Sequence, residues 1–327
     1  MTAHPAVTIV LPVLNELAAI DGCLESLRGQ KYEGQIEIIV ADGGSTDGTL
    51  ERLDAWQAKL PNLVIISNPE RVQSLGVNSA ASIATGQILV RVDGHTVYEP
   101  DYVAASVRVL QESGAIAAGG HMRPHGESPL GAAIAYAMTS GLAIGPGRFH
   151  HVGPAADVDT VYLGSFRRDD FLAAGGYRAL PSGAAEDTDL YRRWRDAGHR
   201  VRLDPSIRST YRPRHRWGAL WRQYYAWGKA KAELLWANGR WPSWRPLAPL
   251  GLVGGLAATA LLAPLTPWPL WILLGSWAVV LTGAAIGAGR LAPLVFGAAA
   301  TMQLSYGIGL VVGLLRGPWQ TRRALRS

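Results

Sequence analysis

The last third of the chain contains three long stretches without a charged side chain, and they limit what the whole chain can fold into. The stretches cover residues 247–265, 268–288 and 291–315. A transmembrane helix needs about 20 apolar residues, whereas a core helix of a water-soluble domain keeps one polar face. The pattern therefore predicts a C-terminal transmembrane domain at residues 246–327, with about three spans.

Two features bear on the number of spans. Each stretch carries a Gly-x-x-x-Gly pair, which permits close helix packing in lipid; the pairs are Gly251/Gly255, Gly283/Gly287 and Gly309/Gly313. The chain ends in an arginine cluster, Arg316, Arg322, Arg323 and Arg326. Three crossings from a cytosolic N-terminal domain would place this cluster outside, against the positive-inside tendency. Either that tendency is overridden or one segment, most simply the third, is re-entrant or interfacial.

The first half of the chain alternates short apolar runs with amphipathic segments. Strands are predicted at 7–11, 35–41, 63–66, 88–92 and 115–119, and helices at 16–27, 50–59, 74–84 and after Pro100. Alternation with short connections predicts an α/β fold with a mainly parallel sheet and helices on both faces. A dehydrogenase-type Rossmann domain is the first alternative, but its Gly-x-Gly-x-x-Gly should directly follow the first strand. That position holds Pro12 and its neighbours instead, and no P-loop spacing is present.

The central strand, 88–92, ends in a carboxylate, a glycine and an imidazole. Ligands of open parallel sheets collect at the carboxyl ends of strands, where Asp93 and His95 would lie. This mixture of oxygen and nitrogen donors suits a divalent cation, and Mn²⁺ tolerates it better than Mg²⁺ does. Asp-Gly is also common in solvated turns, so a plain turn remains an alternative.

Polar residues at the first two strand ends have different predicted roles. Pro12 is expected to end the pairing of the first strand, and Asn15 to cap the helix that follows. Asp42, at the end of the second strand, can accept hydrogen bonds from a base or ribose. Asp47 is better explained as a helix cap.

Composition and charge narrow the setting of the protein. The formal charge is +6, the only cysteine is Cys23, and the N-terminus carries no signal-peptide pattern. A chain with one cysteine forms no internal disulfide and fits a reducing compartment, so we expect the N-terminal domain in the cytosol.

Residues 200–245 combine arginines with many aromatic side chains. Nucleic acid is one possible partner, since bases stack on aromatics beside positive charge. Trp, Tyr and Arg also mark the membrane interface, and apolar spans follow immediately. We therefore expect interfacial helices at 216–245, facing anionic headgroups or a lipid-linked diphosphate, and no nucleic-acid partner.

Glu186 and Asp187 open a helix that Gly198 ends. Acidic side chains in a first helical turn stabilise the helix dipole, which is a sufficient structural reason for them.

Three segments in this order, 12–16, 41–49 and 92–95, resemble the family 2 glycosyltransferases with the GT-A fold. The resemblance implies a GT-A domain at 1–215, with His95 standing where the family's Asp-x-Asp motif has its second aspartate. Asp93 and His95 are then the expected metal ligands. The expected nucleotide-binding residues are Pro12, Asn15, Glu16, Asp42, Arg71, Asn78 and Asp93.

The same resemblance implies catalytic and acceptor residues. Asp187 would be the base, with Glu186 as support. Residues 222–228 resemble the Gln-x-x-Arg-Trp motif of membrane-bound members, although Ala226 replaces its arginine. The residues expected to contact the acceptor or diphosphate are Arg222, Gln223, Trp227, Arg216 and His215.

The pattern is most similar to succinoglycan-type glucosyltransferases. It implies inverting, metal-dependent transfer from a nucleotide sugar, with a UDP-sugar favoured, to a lipid-linked saccharide in polysaccharide or glycolipid biosynthesis. The resemblance also implies that the enzyme is located at a bacterial-type cytoplasmic membrane, with its catalytic domain in the cytosol. One alternative is a polyprenyl-phosphate glycosyl synthase, which charges the lipid carrier itself. Another is a non-catalytic membrane scaffold with a degenerate transferase domain, which Ala226 and His95 favour.

Overall fold

A computed structural model describes residues 4–241 and 243–324. The chain forms two compact units. The first, here called the sheet unit, comprises Met1–Arg123, His151–Ala179 and Glu186–Tyr211. The second, the helical unit, comprises Pro124–His150, Leu180–Ala185 and Arg212–Ser327. The boundaries expected from sequence, 1–215, 216–245 and 246–327, stay predictions.

The sheet unit is built on one sheet with nine strands in the part of the chain described. They are β1 Val7–Val13, β2 Ile36–Asp42, β3 Leu63–Ser67, β4 Ile88–Arg91, β5 Thr96–Tyr98, β6 Ala117–Pro124, β7 Ala156–Asp157, β8 Tyr162–Arg167 and β9 Val201–Tyr211. Their order is β3-β2-β1-β4-β8-β6-β9-β5, with β7 paired to β9. The first four strands are parallel, and β8 pairs with β4 and β6 antiparallel. The α/β fold is confirmed, and its sheet is mixed.

The helices of the sheet unit connect and cover these strands. They are α1 Ile20–Arg28, α2 Thr49–Gln57, α3 Gln73–Ile83, α4 Tyr102–Ser113, α7 Arg168–Ala173 and α8 Glu186–Asp196. The apolar sides of α1 and α4 pack with β1, β2 and β4 into one core, which includes Ile9, Leu24, Val90 and Leu110. All four residues of β4 are buried, as its unbroken apolar run predicts.

Two expectations at the end of β1 are wrong. Pro12 stays within the ladder, opposite Ala41, because β4 pairs with β1 only as far as Val10. Beyond that point one edge of β1 is open, and a residue without an N–H is tolerated there. Asn15 does not cap α1, which begins at Ile20, because its backbone is left-handed with φ 57°.

The strand β9 lies inside the stretch that the sequence assigned to basic, aromatic segments. Its buried residues alternate with less buried, mostly polar ones, and two of these are arginines. Arg202 pairs with Asp157 at 3.2 Å and Arg208 with Asp101 at 3.2 Å. These two arginines therefore have partners within the sheet unit, and the interfacial role of the basic stretch stays a prediction.

The helical unit contains α5 Pro129–Ala137, α6 Gly141–Ile144, α9 Trp217–Asn238, α10 Leu247–Leu262, α11 Trp268–Ala285 and α12 Ala292–Ala324. Among the residues described, two segments are long and apolar enough to cross a membrane, Trp268–Ala285 and Gly289–Gly317. The α10 helix is apolar but has only 16 residues. The structure thus gives two candidate spans where the sequence predicts about three. The side chains of Arg322, Arg323 and Arg326 lie outside the described residues.

One of the three Gly-x-x-x-Gly pairs makes a close helix contact. A Cβ on Gly309 of α12 would lie 2.1 Å from the carbonyl oxygen of Tyr225 in α9, and one on Gly228 would lie 2.0 Å from that of Tyr306. Only residues without a side chain allow backbones to approach this closely. A Cβ on Gly251 would meet nothing within 4 Å and one on Gly255 would lie 3.2 Å from a side-chain carbon of Leu273, so that pair brings no two backbones together in this way.

Candidate active site

Asp42 is the last residue of β2 and is held in one orientation by the loop that follows. Its Oδ2 accepts hydrogen bonds from the N–H groups of Gly44 at 2.9 Å and Ser45 at 3.0 Å, and its Oδ1 accepts from Ser45 Oγ at 2.6 Å. The carboxylate is 5% exposed. It therefore lies at the carboxyl end of the parallel strands, where ligands of such sheets bind.

The loops after β1 and β2 are bonded to each other through Asn15. Its N–H donates to Ser45 Oγ at 2.9 Å, and its Oδ1 accepts from the N–H of Thr46 at 2.8 Å. Pro12 itself is buried in the strand. Of the expected nucleotide residues here, Asn15 therefore ties the two loops together, while Pro12 is part of the strand that precedes them.

Asp47 was expected to cap a helix, but the N-cap residue of α2 is Gly48; Asp47 instead bonds the start of that helix from one position earlier. Its carboxylate accepts from the N–H of Thr49, the first residue of α2, at 3.1 Å, and from that of Leu17 at 3.2 Å. Burial raises the pKa of Asp47, but these hydrogen bonds outweigh it and hold the pKa below its usual value.

Asp93 and His95 follow β4, and each is held by a different partner. Asp93 Oδ1 accepts from Gln73 Nε2 at 3.1 Å. His95 Nδ1 lies 3.0 Å from Oε1 of Glu16, with both side chains less than one-fifth exposed. Glu16, expected at the nucleotide, is thus the partner of the expected metal ligand.

Asp93 and His95 have the donor atoms of a metal site whose remaining ligands come from the substrate. No group of three or more His, Cys, Asp or Glu side chains among the residues described could hold a metal alone. Small divalent cations are often bound by one or two protein ligands together with substrate phosphates. When a carboxylate accepts a hydrogen bond from one nitrogen of a neutral imidazole, the other nitrogen keeps its lone pair free for a metal, as in many metal-binding histidines. The Glu16–His95 pair fits that arrangement.

Arg71 and Asn78 differ in how they relate to the pocket. Arg71 is exposed, has a left-handed backbone, and its guanidinium lies 4.0 Å from the position of a Cβ at Gly44. Asn78 instead bonds the backbone of Tyr177 with both amide atoms, at 2.8 and 2.9 Å. This geometry supports a structural role for Asn78, which holds the turn before Tyr177.

The expected base lies at the start of α8. Glu186 is buried, and its Oε1 lies 2.9 Å from Nη2 of Arg91, with both side chains less than one-tenth exposed. Burial raises the pKa of Glu186, Arg91 opposes that effect, and the charge of Asp187 adds to it. Asp187 is half-buried, and its Oδ1 accepts from the N–H of Thr188 at 2.5 Å. The more accessible Asp187 is thus the better placed of the two to meet a hydroxyl.

Sequence reasoning missed Arg91 and Tyr177. The guanidinium of Arg91 lies 5.3 Å from the centre of the Tyr177 ring, and Nη1 lies 3.4 Å from the Tyr177 hydroxyl. An arginine inside a strand buried on both faces must have a counter-ion, so the run 88–92 held the signal. The identity of that counter-ion, Glu186, depends on the fold.

The expected acceptor residues belong to the helical unit, at the beginning of α9. His215, Arg216 and Arg222 are exposed, and Arg216 immediately precedes the helix. Gln223 and Trp227 lie four residues apart on one side of α9, and the Trp227 ring packs 4.8 Å from that of Tyr224. Cations at a helix N-terminus, where backbone N–H groups are unpaired, form a favourable place for an anion.

A mixed sheet whose parallel half collects carboxylates at its strand ends is the architecture of nucleotide-sugar transferases of the GT-A class, and comparison with solved structures agrees. Mannosyltransferase PcManGT from Pyrobaculum calidifontis, in complex with GDP-Man and Mn²⁺, aligns with TM-score 0.61 at 22% identity over 96% of this chain and 88% of that one. S. aureus TarS 1-349 with UDP-GlcNAc aligns with TM-score 0.53 at 14% identity over 93% and 90%.

Sequence comparison then identifies the family. Residues 8–171 match the family described as Glycosyl transferase family 2. The chain is also 32% identical over 278 residues to succinoglycan biosynthesis protein ExoA of Rhizobium meliloti, covering 84% of this chain and 83% of that protein. The chain therefore belongs to glycosyltransferase family 2, which confirms the expected fold and enzyme class.

Proposed function

We propose that this enzyme transfers a sugar, with inversion, from a nucleotide sugar to a lipid-linked saccharide at a membrane. The observation that carries the proposal is the set of side chains at the carboxyl edge of the parallel strands, where Asp42 is fixed by its loop, Asp93 is bonded by Gln73, and His95, two residues further on, pairs with Glu16. Such a set suits a nucleoside on one side and a diphosphate with its cation on the other.

In the proposed donor site, Asp42 accepts hydrogen bonds from the nucleoside, and Asn15 and Arg71 border the same loop. Asp93 and His95 would hold a divalent cation, Mn²⁺ or Mg²⁺, which when bound neutralises charge on the departing diphosphate. GDP-Man and UDP-GlcNAc are the donors in the two aligned structures. A UDP-sugar is our first choice here, on the resemblance to succinoglycan-type enzymes.

Asp187 is the proposed general base. It takes the proton from the acceptor hydroxyl as that oxygen bonds to the anomeric carbon, while the bond from this carbon to the diphosphate oxygen breaks. The nucleoside diphosphate leaves with the electron pair, and attack from the opposite side inverts the anomeric centre. Glu186 supports the base from the core.

The residues proposed to bind the acceptor belong to the helical unit. Its apolar helices expose large side chains such as Trp268, Ile272 and Val279, at 72%, 70% and 72% of their full area. Exposed apolar surface of this kind favours burial in lipid. Arg222, Gln223 and Trp227, with Arg216 and His215, are proposed to meet the acceptor saccharide and its diphosphate. The name of the ExoA relative supports a product in polysaccharide biosynthesis. We place the catalytic domain on the cytosolic side of a bacterial-type membrane.

Two crossings would agree with that placement. If Trp268–Ala285 and Gly289–Gly317 both span the bilayer and α10 does not, the chain returns to the cytosolic side before Arg322. The positive-inside tendency is then obeyed. Cysteine labelling at position 327 in intact cells tests this, and labelling from outside contradicts it.

The direct test of function is a panel of nucleotide sugars incubated with native membrane lipids and Mn²⁺ or Mg²⁺, with products identified by mass. We expect one added sugar on a lipid-linked saccharide. Transfer to bare polyprenyl phosphate would identify the enzyme as a synthase of the charged carrier instead. Absence of product and of donor hydrolysis with every nucleotide sugar would support a non-catalytic scaffold.

The base assignment is tested by Asp187→Asn. We expect kcat to fall by about 10²- to 10⁴-fold, since a general base contributes on that order, while nucleotide binding is retained. Asp169→Asn is the matched control, because the Asp169 side chain is 95% exposed. Wild-type turnover in Asp187→Asn would refute the assignment.

A further inference from the structure

Arg91 is a cation placed inside the core of the sheet unit. It is the last residue of β4, a strand buried on both faces, and it is 7% exposed. Of its five N–H donors, one group contacts Glu186 at 2.9 Å and another lies 3.4 Å from the Tyr177 hydroxyl, while Nε has no hydrogen-bond partner. A buried guanidinium this sparsely satisfied costs stability, since well-packed apolar residues would usually serve the fold as well. That cost makes a functional reason for Arg91 plausible.

The partner of Arg91 begins α8 at a strained point of the backbone. Ala185, which precedes Glu186, has φ 63°, a left-handed conformation that residues with a Cβ rarely adopt. Such strain persists only where surrounding contacts hold the chain in place, and it concentrates at functional sites. The ion pair with Arg91 is a contact of this kind, and it acts one residue before Asp187.

We propose that Arg91 is a positioning residue for glycosyl transfer: by binding Glu186 it holds the first turn of α8 so that Asp187 is presented to the acceptor hydroxyl. The inference rests on the proposed role of Asp187. It also gives a reason for the arginine to be on β4. This strand ends at Arg91, two residues before Asp93, so one segment sets the position of both the proposed cation ligand and the partner of the proposed base.

The charges around this turn explain how Arg91 would affect the base. Glu186 and Asp187 are neighbouring carboxylates, and the structure places one buried cation beside them. Among the residues described, the other ionisable groups that interact with this cluster are Tyr102, Tyr177, Tyr191 and Asp93. Without the cation, burial and the charge of Asp187 would raise the pKa of Glu186 unopposed, and the contact that fixes the first turn of α8 would be lost.

The test compares kcat–pH profiles at saturating donor and acceptor, in the full-length protein. Arg91→Met should lower kcat at neutral pH at least tenfold and move the acidic limb to higher pH by about one unit. Glu186→Gln should move that limb to lower pH, because it removes the neighbouring negative charge and keeps Arg91. Arg91→Lys should restore the limb, with kcat still below wild type because a lysine lacks the planar fork of donors. The nucleotide dissociation constant should stay within about threefold throughout.

Arg108→Met is the matched control, since Arg108 is half-exposed and pairs with Glu112 on the surface of α4. A purely structural Arg91 would lower the yield of folded protein without displacing the pH profile. If Arg91→Met does not fold, the test uses the kcat–pH profiles of Glu186→Gln and Arg91→Lys, with the acidic limbs expected above. If the acidic limbs of Arg91→Met and Glu186→Gln do not move, or move in the same direction, the inference is overturned. The proposed function would still hold in that case, provided that Asp187→Asn is inactive. An inactive Glu186→Gln would make Glu186 the base and also overturn it.

Discussion

In the sheet unit, the loops of the candidate site are held by hydrogen bonds that involve side chains, whereas in the helical unit two helices approach each other backbone to backbone. Asp42 and Asn15 organise the strand-end loops through hydrogen bonds of 2.6–3.0 Å. Gly228 and Gly309 let α9 and α12 approach so closely that a Cβ would come within 2.1 Å of a carbonyl oxygen. In the loops, a substitution can remove one hydrogen bond and leave the others, and the residues proposed for catalysis lie there. At the glycine contacts, the two helices leave no room for an added atom, so that packing is rigid.

The largest expected effect comes from adding a single methyl group to the helix contact in the helical unit. Gly309→Ala should destabilise that unit by about 3 kcal/mol or more, because the helices must separate to admit the Cβ. Gly251→Ala is the control, since its Cβ would meet nothing within 4 Å, and it should be neutral. Thermal unfolding in detergent measures both. Equal midpoints for the two variants would show that the close approach is not needed.

In the sheet unit, two aspartates that both bond backbone N–H groups should separate ligand binding from structure. Asp42→Ala should weaken nucleotide binding about tenfold or more, since hydrogen bonds to a charged group contribute about 1.5–3 kcal/mol. Asp47→Ala should cost about 1 kcal/mol of stability, as the loss of a capping side chain does, and leave binding unchanged. Isothermal titration with nucleotide diphosphate decides between them. Equal losses of affinity would assign both residues to loop structure alone.

The left-handed backbone of Asn15 permits a smaller, sharper test. Asn15→Gly and Asn15→Ala both remove the hydrogen bond from Thr46, but only alanine must also hold φ 57° with a Cβ. Asn15→Ala should therefore be less stable than Asn15→Gly by about 1 kcal/mol. Urea unfolding followed by pulse proteolysis gives the difference. The opposite order would mean that the loop relaxes out of the left-handed conformation.

The smallest expected effect concerns His121, a buried residue of β6 whose Nε2 accepts from the N–H of Gly153 at 3.3 Å. Burial, with Arg123 nearby, lowers the pKa of His121 in the folded protein. In the unfolded protein His121 has its usual pKa of about 6.5, so below about pH 6.5 the unfolded protein binds more protons than the folded one. The free energy of unfolding therefore decreases as the pH falls through this range. His121→Gln should flatten this acid slope in urea titrations between pH 8 and 5.5. An unchanged slope would show that other groups cause it.

Much of the sheet unit was predictable because local signals and tertiary structure agree. β1, β2, β3 and β4 are consecutive and joined by short helices, so apolar runs and turn residues define them. β9 was missed because Arg202 and Arg208 placed it within the basic, aromatic stretch, although its apolar residues do alternate with polar ones, and its pairing with β7 and β5 makes it a strand. Glu16 was expected at the nucleotide, yet its contact with His95 depends on how two loops meet.

The sequence by itself determined the family, the carboxylates at the strand ends and the apolar C-terminal helices, because motifs, strand periodicity and the absence of charge are local properties of the chain. Only the tertiary structure decided which groups are partners: Glu16 with His95, Asn78 with the Tyr177 backbone, and Arg91 with Glu186, 95 positions apart in the sequence. The physical reason is burial. A charge withdrawn from water needs a nearby opposite charge, and which one it meets depends on how the sheet brings distant segments together.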